Sequence, residues 1–185
     1  RPSLRRGSKG AENRHFGIRR GKPGPEGKII PPMAFIPAAE RFHMMPAIDR
    51  WMIRHAFAAY RKMLDQRGSE VQCVFTINLS GVSLGDPDLL DYIMDQLILH
   101  GVPPAGICFE ITETAAIVNL AHTVELIKTL KQIGCGFLLD DFGSGMSSFA
   151  YLKNLQVDFI KIDGAFVRDI ATNPIDLAMV QSIHG

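Results

Sequence analysis

At 185 residues, 46% of them apolar, the chain is long enough for one full-sized domain with its own core or for part of a larger one. It holds no run of about 18 uncharged apolar residues and no apolar leader at the N-terminus, so neither a membrane span nor a secretory signal is expected. The net charge of +1 conceals two regions: residues 1–28 hold nine Lys/Arg against two acids, and residues 29–185 hold eleven against seventeen.

Arg, Gly, Pro and Ser supply 17 of the first 28 residues, a composition that does not build a core. Phe16 is the only aromatic in this basic tract, so it does not suggest a nucleic-acid polymer as partner. The expected division is a low-complexity segment over 1–28 and a folded domain over 29–185. Out-of-frame reading of GC-rich DNA gives the same residue types, and a frameshift is the expected origin of residues 1–28. Cys73, Cys108 and Cys135 lie far apart in apolar runs and read as buried, reduced thiols of a cytoplasmic protein. Without Cys-x-x-Cys or His-x-x-x-His spacing, zinc is not expected.

From residue 29, "IIPPMAFIPAAERF" reads as a proline-punctuated lead-in. Ala47 to Leu64 has helical spacing, with Ile48, Met52, Ala56, Ala59 and Met63 on one face. "QCVFTINLS" (72–80) reads as a buried strand, and 86–101 as a helix with Leu90, Ile93 and Leu97 inward and Gly101 as its cap. The alternation continues with a strand at 106–112, a helix at 119–133 and a strand at 135–140. A short helix around Ser147–Lys153, a strand at 157–163 and one or two helices over 166–183 complete it. Apolar strands alternating with helices predict an α/β fold with a parallel sheet covered by helices.

Each strand turns polar near its carboxyl end: Asn78, Glu110, the pair Asp140 and Asp141, and Lys161. Ligand sites of parallel α/β folds form at those ends, and in a (β/α)₈ barrel they converge on one mouth. Two adjacent carboxylates repel unless a cation is shared, and hard oxygen donors suit Mg²⁺ or Mn²⁺. Such a cation serves phosphate chemistry, with Lys161 neutralising phosphate charge or holding water. The loop "DFGSGMSSF" offers Gly143 and Gly145 for tight turns and Ser144, Ser147 and Ser148 as hydroxyl donors. Plainer roles remain open: an N-cap or Asx-turn for Asp141, satisfied buried polar groups for Asn78 and Glu110, and an ion pair with Asp163 or a barrel acid for Lys161. Glu113, at a strand exit, reads as a loop anchor accepting backbone N–H groups.

"FIPAAE" (35–40), "INLSG" (77–81), "FEITET" (109–114), "LLDDFGSGMSSFAYLKNLQVDFIKIDGAFVRDI" (138–170) and "AMVQSI" (178–183) together resemble the EAL domain family of bacterial cyclic di-GMP phosphodiesterases. The resemblance implies a TIM-like barrel, here truncated, that hydrolyses cyclic di-GMP to linear pGpG with Mg²⁺ or Mn²⁺. It implies metal ligation by Asn78, Glu110 and Asp140, with Asp141 holding metal or the attacking water and Lys161 near the scissile phosphate. Glu113 and the 142–149 loop match the elements that gate the metal site. The resemblance also implies a homodimer contact through residues 142–153 and a cytoplasmic location for this bacterial domain, with a membrane-anchored parent protein left open.

The sequence departs from the family pattern where a Glu-Ala-Leu triplet is expected, near Phe16 to Ile18, and reads "RHFGIRR" there. The family's later general-base Glu and a Gln of the site fall beyond Gly185. Impaired turnover is therefore expected. The alternative is a catalytically inactive cyclic di-GMP-binding or dimerisation module.

Overall fold

The computed structural model of the chain describes residues 16–17, 30–67, 73–143, 149–168, 170–173, 177–178 and 180. Five parallel strands lie side by side in chain order: β1 (Phe16–Gly17), β2 (Phe75–Asn78), β3 (Ile107–Thr112), β4 (Gly136–Phe142) and β5 (Phe159–Ile162). The described helices are α1 (Pro32–Arg41), α2 (Met45–Arg67), α3 (Gly81–Leu84), α4 (Leu89–His100), α5 (Glu113–Val118), α6 (Leu120–Gln132) and α7 (Gly164–Arg168). A parallel sheet whose neighbours are joined through helices is the wall of a (β/α) barrel, here a partial one.

Side chains alternate across each strand. Phe75, Ile77, Ile107, Phe109, Ile111, Phe137 and Leu139 join one core with Ile53 and Phe57 of α2, Ile93 of α4, and Ile127 and Leu130 of α6. Each such side chain stabilises the fold by about 1.5–3 kcal/mol on burial. The intervening residues, among them Asn78, Cys108, Glu110, Leu138 and Asp140, share the other face, which in a barrel is the interior. Register pairs Asn78 with Glu110 and Thr112 with Asp140, so the polar groups gather at the carboxyl ends. On the edge strand β5, Phe159 and Ile160 are exposed.

Several boundaries differ from the sequence reading. The proline-punctuated lead-in is helix α1, with Pro31 as N-cap, Pro32 in the first turn and Pro37 inside. Proline fits a first turn, where its missing N–H has no helical partner in any case. The buried face of α2 is Met45, Asp49, Met52, Ile53, Ala56, Phe57 and Tyr60, whereas Ala59 is exposed and Ile48 only half-buried. Strand β4 runs two residues past Asp140. Gly101 caps α4 in the left-handed conformation, φ 57°, as its position predicts. Cys73, Cys108 and Cys135 are buried free thiols. Burial, with Asp158 and Glu110 nearby, pushes Cys108 up to about 11. Of the low-complexity segment over 1–28, the described part is Phe16–Gly17, which pairs in parallel with Phe75 and Thr76.

A Cβ on Gly106 would lie 2.1 Å from Tyr60 Oη and 2.3 Å from its Cζ. That ring is buried and its hydroxyl donates to the Cys73 carbonyl at 3.1 Å. Gly106→Ala is expected to destabilise by about 1–3 kcal/mol in urea unfolding, and an unchanged midpoint would show that the ring yields freely. Thr123 on α6 is fully buried, and among the described residues its Oγ1 has no hydrogen-bond partner. Thr123→Val should therefore stabilise by about 1 kcal/mol, and a loss instead would mean the hydroxyl is satisfied.

Candidate active site at the strand ends

Between β4 and β5 the register shifts: Leu139 faces Ile160, but Phe142 faces Ile162. Two β4 residues, Asp140 and Asp141, thus stand opposite one, Lys161. This is a β-bulge, and Asp141 takes its left-handed conformation at φ 54°. Aspartate tolerates that region better than most residues, because its short side chain can bond the local backbone. The Asp141 N–H donates to Asp140 Oδ1 at 3.0 Å.

Lys161 Nζ donates to Glu110 Oε1 and, at 3.2 Å, to Asp140 Oδ2. Glu110 is nearly buried, while the lysine side chain is half-exposed. When Glu110 holds its proton, Asp140 is the carboxylate that accepts the hydrogen bond. Burial and the hydrogen bond to Asp140 raise the Glu110 carboxyl, outweighing the Lys161 ammonium. Asp140 moves down: burial opposes the shift, but the hydrogen bond to Glu110, the Asp141 N–H and Lys161 outweigh it. Burial, Asp140 and Asp163 raise Asp141 against the pull of Lys161. Lys161 itself is raised by Glu110 and Asp140 despite burial, so its charge is secure at neutral pH.

Behind the pair, Glu113 is buried at the start of α5, whose N-cap is Thr112. Its Oε2 accepts the Gly143 N–H at 2.8 Å and its Oε1 the Tyr151 hydroxyl at 2.6 Å. Gly143 has φ 95°, and a Cβ there would meet Phe166 at 3.0 Å, so the turn after the acid pair requires glycine. Ser144, Ser147, Ser148 and Gly145 lie outside the described residues. Asn78 is exposed at the end of β2, beside Glu110. Sequence reasoning missed Tyr151, and also Asp49, which sits wholly buried on α2 beneath the exit of β2.

The structure therefore brings Glu110, Asp140 and Lys161 into direct contact, with Asn78 and Asp141 flanking. Among the described residues no three His, Cys, Asp or Glu side chains converge as a cage. The candidate hard-cation donors are thus the Glu110 and Asp140 carboxylates plus the Asn78 amide oxygen. This set fits Mg²⁺ or Mn²⁺, which are commonly held by one or two carboxylates and keep several waters. Among the described residues no helix is long and apolar enough to cross a membrane.

A partial parallel barrel with an acid–lysine cluster at its strand ends places the chain among α/β barrel domains with a polar site at the mouth. A family model described as "EAL domain" matches residues 18–185, and the chain belongs to that family. It is 46% identical over 160 residues to the cyclic di-GMP phosphodiesterase PdeB of Shewanella oneidensis, an alignment covering 86% of this chain and 18% of that protein. It is 33% identical over 160 residues to the cyclic di-GMP phosphodiesterase PdeF of Escherichia coli, covering 86% and 21%. Among solved structures, the MucR phosphodiesterase in complex with c-di-GMP superposes with TM-score 0.77 at 30% identity, covering 87% of this chain and 64% of that one. The FimX EAL domain of Pseudomonas aeruginosa bound to c-di-GMP gives TM-score 0.77 at 29% identity, covering 88% and 64%. The chain thus spans about a fifth of those two curated relatives and under two thirds of those two solved neighbours.

Proposed function

We propose that the strand-end cluster is a cyclic di-GMP phosphodiesterase site that yields linear pGpG, with turnover by this chain reduced. The observation that carries the reading is the bulge that sets Asp140 and Asp141 against Lys161, with Glu110 in contact with both Asp140 and Lys161. Asn78, Glu110 and Asp140 would hold a hard divalent cation, Mg²⁺ or Mn²⁺. When bound, such an ion polarises a phosphoryl oxygen and acidifies water. Lys161 neutralises charge on the phosphate, and Asp141 orients the attacking water. One water adds across one phosphodiester: the P–O bond to a ribose 3′ oxygen breaks, and that oxygen takes a proton.

Reduced turnover rests on the strand beside β2. Its flanking sequence, Arg14 to Arg20, holds no acid, so that neighbour contributes no carboxylate to the site. Loss of a positioned acid or base is typically worth about 10²–10⁴-fold in rate. A homodimer through residues 142–153 belongs to the same proposal, since Glu113 braces both Gly143 and Tyr151 of that stretch.

The test is chromatographic assay of cyclic di-GMP and pGpG with the purified chain, with and without Mn²⁺. The expected result is Mn²⁺-dependent conversion at least about a hundredfold slower than by a family member that keeps the Glu-Ala-Leu acid. Conversion at the full rate would overturn the impairment, and conversion indifferent to Mn²⁺ would overturn the metal role.

A further inference from the structure

We infer that Asp49 is a positioning residue for the strand-end site, holding Asn78 against Glu110 through the segment that follows β2. The inference deepens the proposed function and rests on that reading of Asn78. Asp49 is fully buried, one turn into α2. Its Oδ2 accepts the backbone N–H of Ser80 at 2.8 Å and the Ser83 hydroxyl at 2.8 Å. Ser80 is two residues past Asn78, and the intervening Leu79 donates its N–H to the Glu110 carbonyl at 2.9 Å. One backbone bond thus ties the chain after Asn78 to the strand that carries Glu110. The next one ties it to a carboxylate that is itself locked inside the helix layer.

The surrounding bonds stiffen this arrangement. Ser80 Oγ caps α3 by accepting from Ser83 N–H at 3.3 Å and also donates to Ser83 Oγ at 3.1 Å. Asn119 Nδ2 donates to the Gly81 carbonyl at 3.0 Å. The next residue of α2, Arg50, pairs with Asp86 at 2.8 Å at the far end of the segment. Helix α2 therefore grips the 79–86 segment at both ends, and Asp49 is the grip nearer the site. A carboxylate accepts two donors at one oxygen more strongly than an amide does, because the acceptor is charged. An outer residue that orients a metal ligand in this way typically changes metal affinity 10- to 100-fold when lost.

The experiment compares Asp49→Asn and Ser83→Ala with Leu97→Ala, a buried core change on α4. Each is read by the NMR position of the Asn78 side-chain amide in the metal-free chain and by Mn²⁺ affinity. The expected result is that Asp49→Asn moves the Asn78 amide and weakens Mn²⁺ binding about tenfold. Ser83→Ala should move the amide less, and Leu97→Ala should leave both readings at the wild-type value whatever its loss of melting temperature. An Asn78 amide that stays in place in both site variants overturns the inference. If the wild-type chain binds no Mn²⁺, the metal reading of the site falls, and the Asn78 amide alone still decides the role of Asp49.

Discussion

Replacing Glu113 with alanine lowers the unfolding free energy by about 3 kcal/mol, the largest single loss expected outside the apolar core. The side chain is almost wholly buried, and each of its carboxylate oxygens accepts one bond, from Gly143 N–H and from Tyr151 Oη. Bonds to a charged acceptor stabilise by about 1.5–3 kcal/mol each, and truncation also leaves both donors unsatisfied in a partly buried place. For a domain of this size, 3 kcal/mol corresponds to roughly 6–12 °C in Tm. Burial and the Glu113 charge together push the Tyr151 hydroxyl above its ordinary value, so its titration should fall back towards normal in the variant. Glu113→Gln keeps one acceptor and should lose about half as much. A urea titration that shows under 1 kcal/mol lost in Glu113→Ala would contradict the geometry.

Lys161→Met is expected to have the largest effect on chemistry, with cyclic di-GMP turnover falling by about two orders of magnitude. It also leaves Glu110 and Asp140 facing each other without a cation. Breaking a fully buried pair costs roughly 3–5 kcal/mol. Here the lysine side chain is 52% exposed and water screens part of the interaction, so about 1–2 kcal/mol is expected. The pH dependence has a definite sign. Glu110 is raised in the folded state, so its charging disfavours the fold as pH rises from the ordinary carboxylate range through its folded value. Asp140 is lowered, so it favours the fold above the ordinary range, and that support is lost as pH falls through its folded value. Removing Lys161 raises both carboxyls, which enlarges the first effect and shrinks the second. The deficit of Lys161→Met relative to wild type should therefore be smallest in acid and grow towards neutral pH. Unfolding midpoints measured from acid to neutral pH check it, and a deficit independent of pH would show that Lys161 does not support the pair.

The sequence carried the strand-end pattern because a parallel sheet converts it directly into proximity. Asn78, Glu110 and Asp140 each stand at the end of an apolar run; register pairs Asn78 with Glu110, and Asp140 lies on the same face two residues beyond Leu138, the partner of Glu110. What it hid are features set by backbone detail and by tertiary contact. The β4 bulge carries no glycine or proline, and the tolerance of aspartate for left-handed backbone was its one local signal. Helices α3 and α5 are a turn or two long, too short for periodicity to show. Their N-caps, Ser80 and Thr112, could have marked them. Asp49 was invisible because a reading of the α2 face by apolar spacing passes over a buried acid, and only the fold brings Ser80 and Ser83 to it. Proline count misled at α1, where two of the prolines sit at the helix start, positions that suit them.

Glu110, Asp140 and Lys161 form the core of the proposed site for cyclic di-GMP. Calorimetric titration of cyclic di-GMP into the wild-type chain and into Glu110→Ala, with Mn²⁺ present in both, tests it most directly. Saturable one-to-one binding to wild type is expected, with a loss of at least about tenfold in affinity for Glu110→Ala, the removal of a charged contact worth some 1.4 kcal/mol. Equal affinity for the two chains, or no binding to the folded wild type, would contradict it.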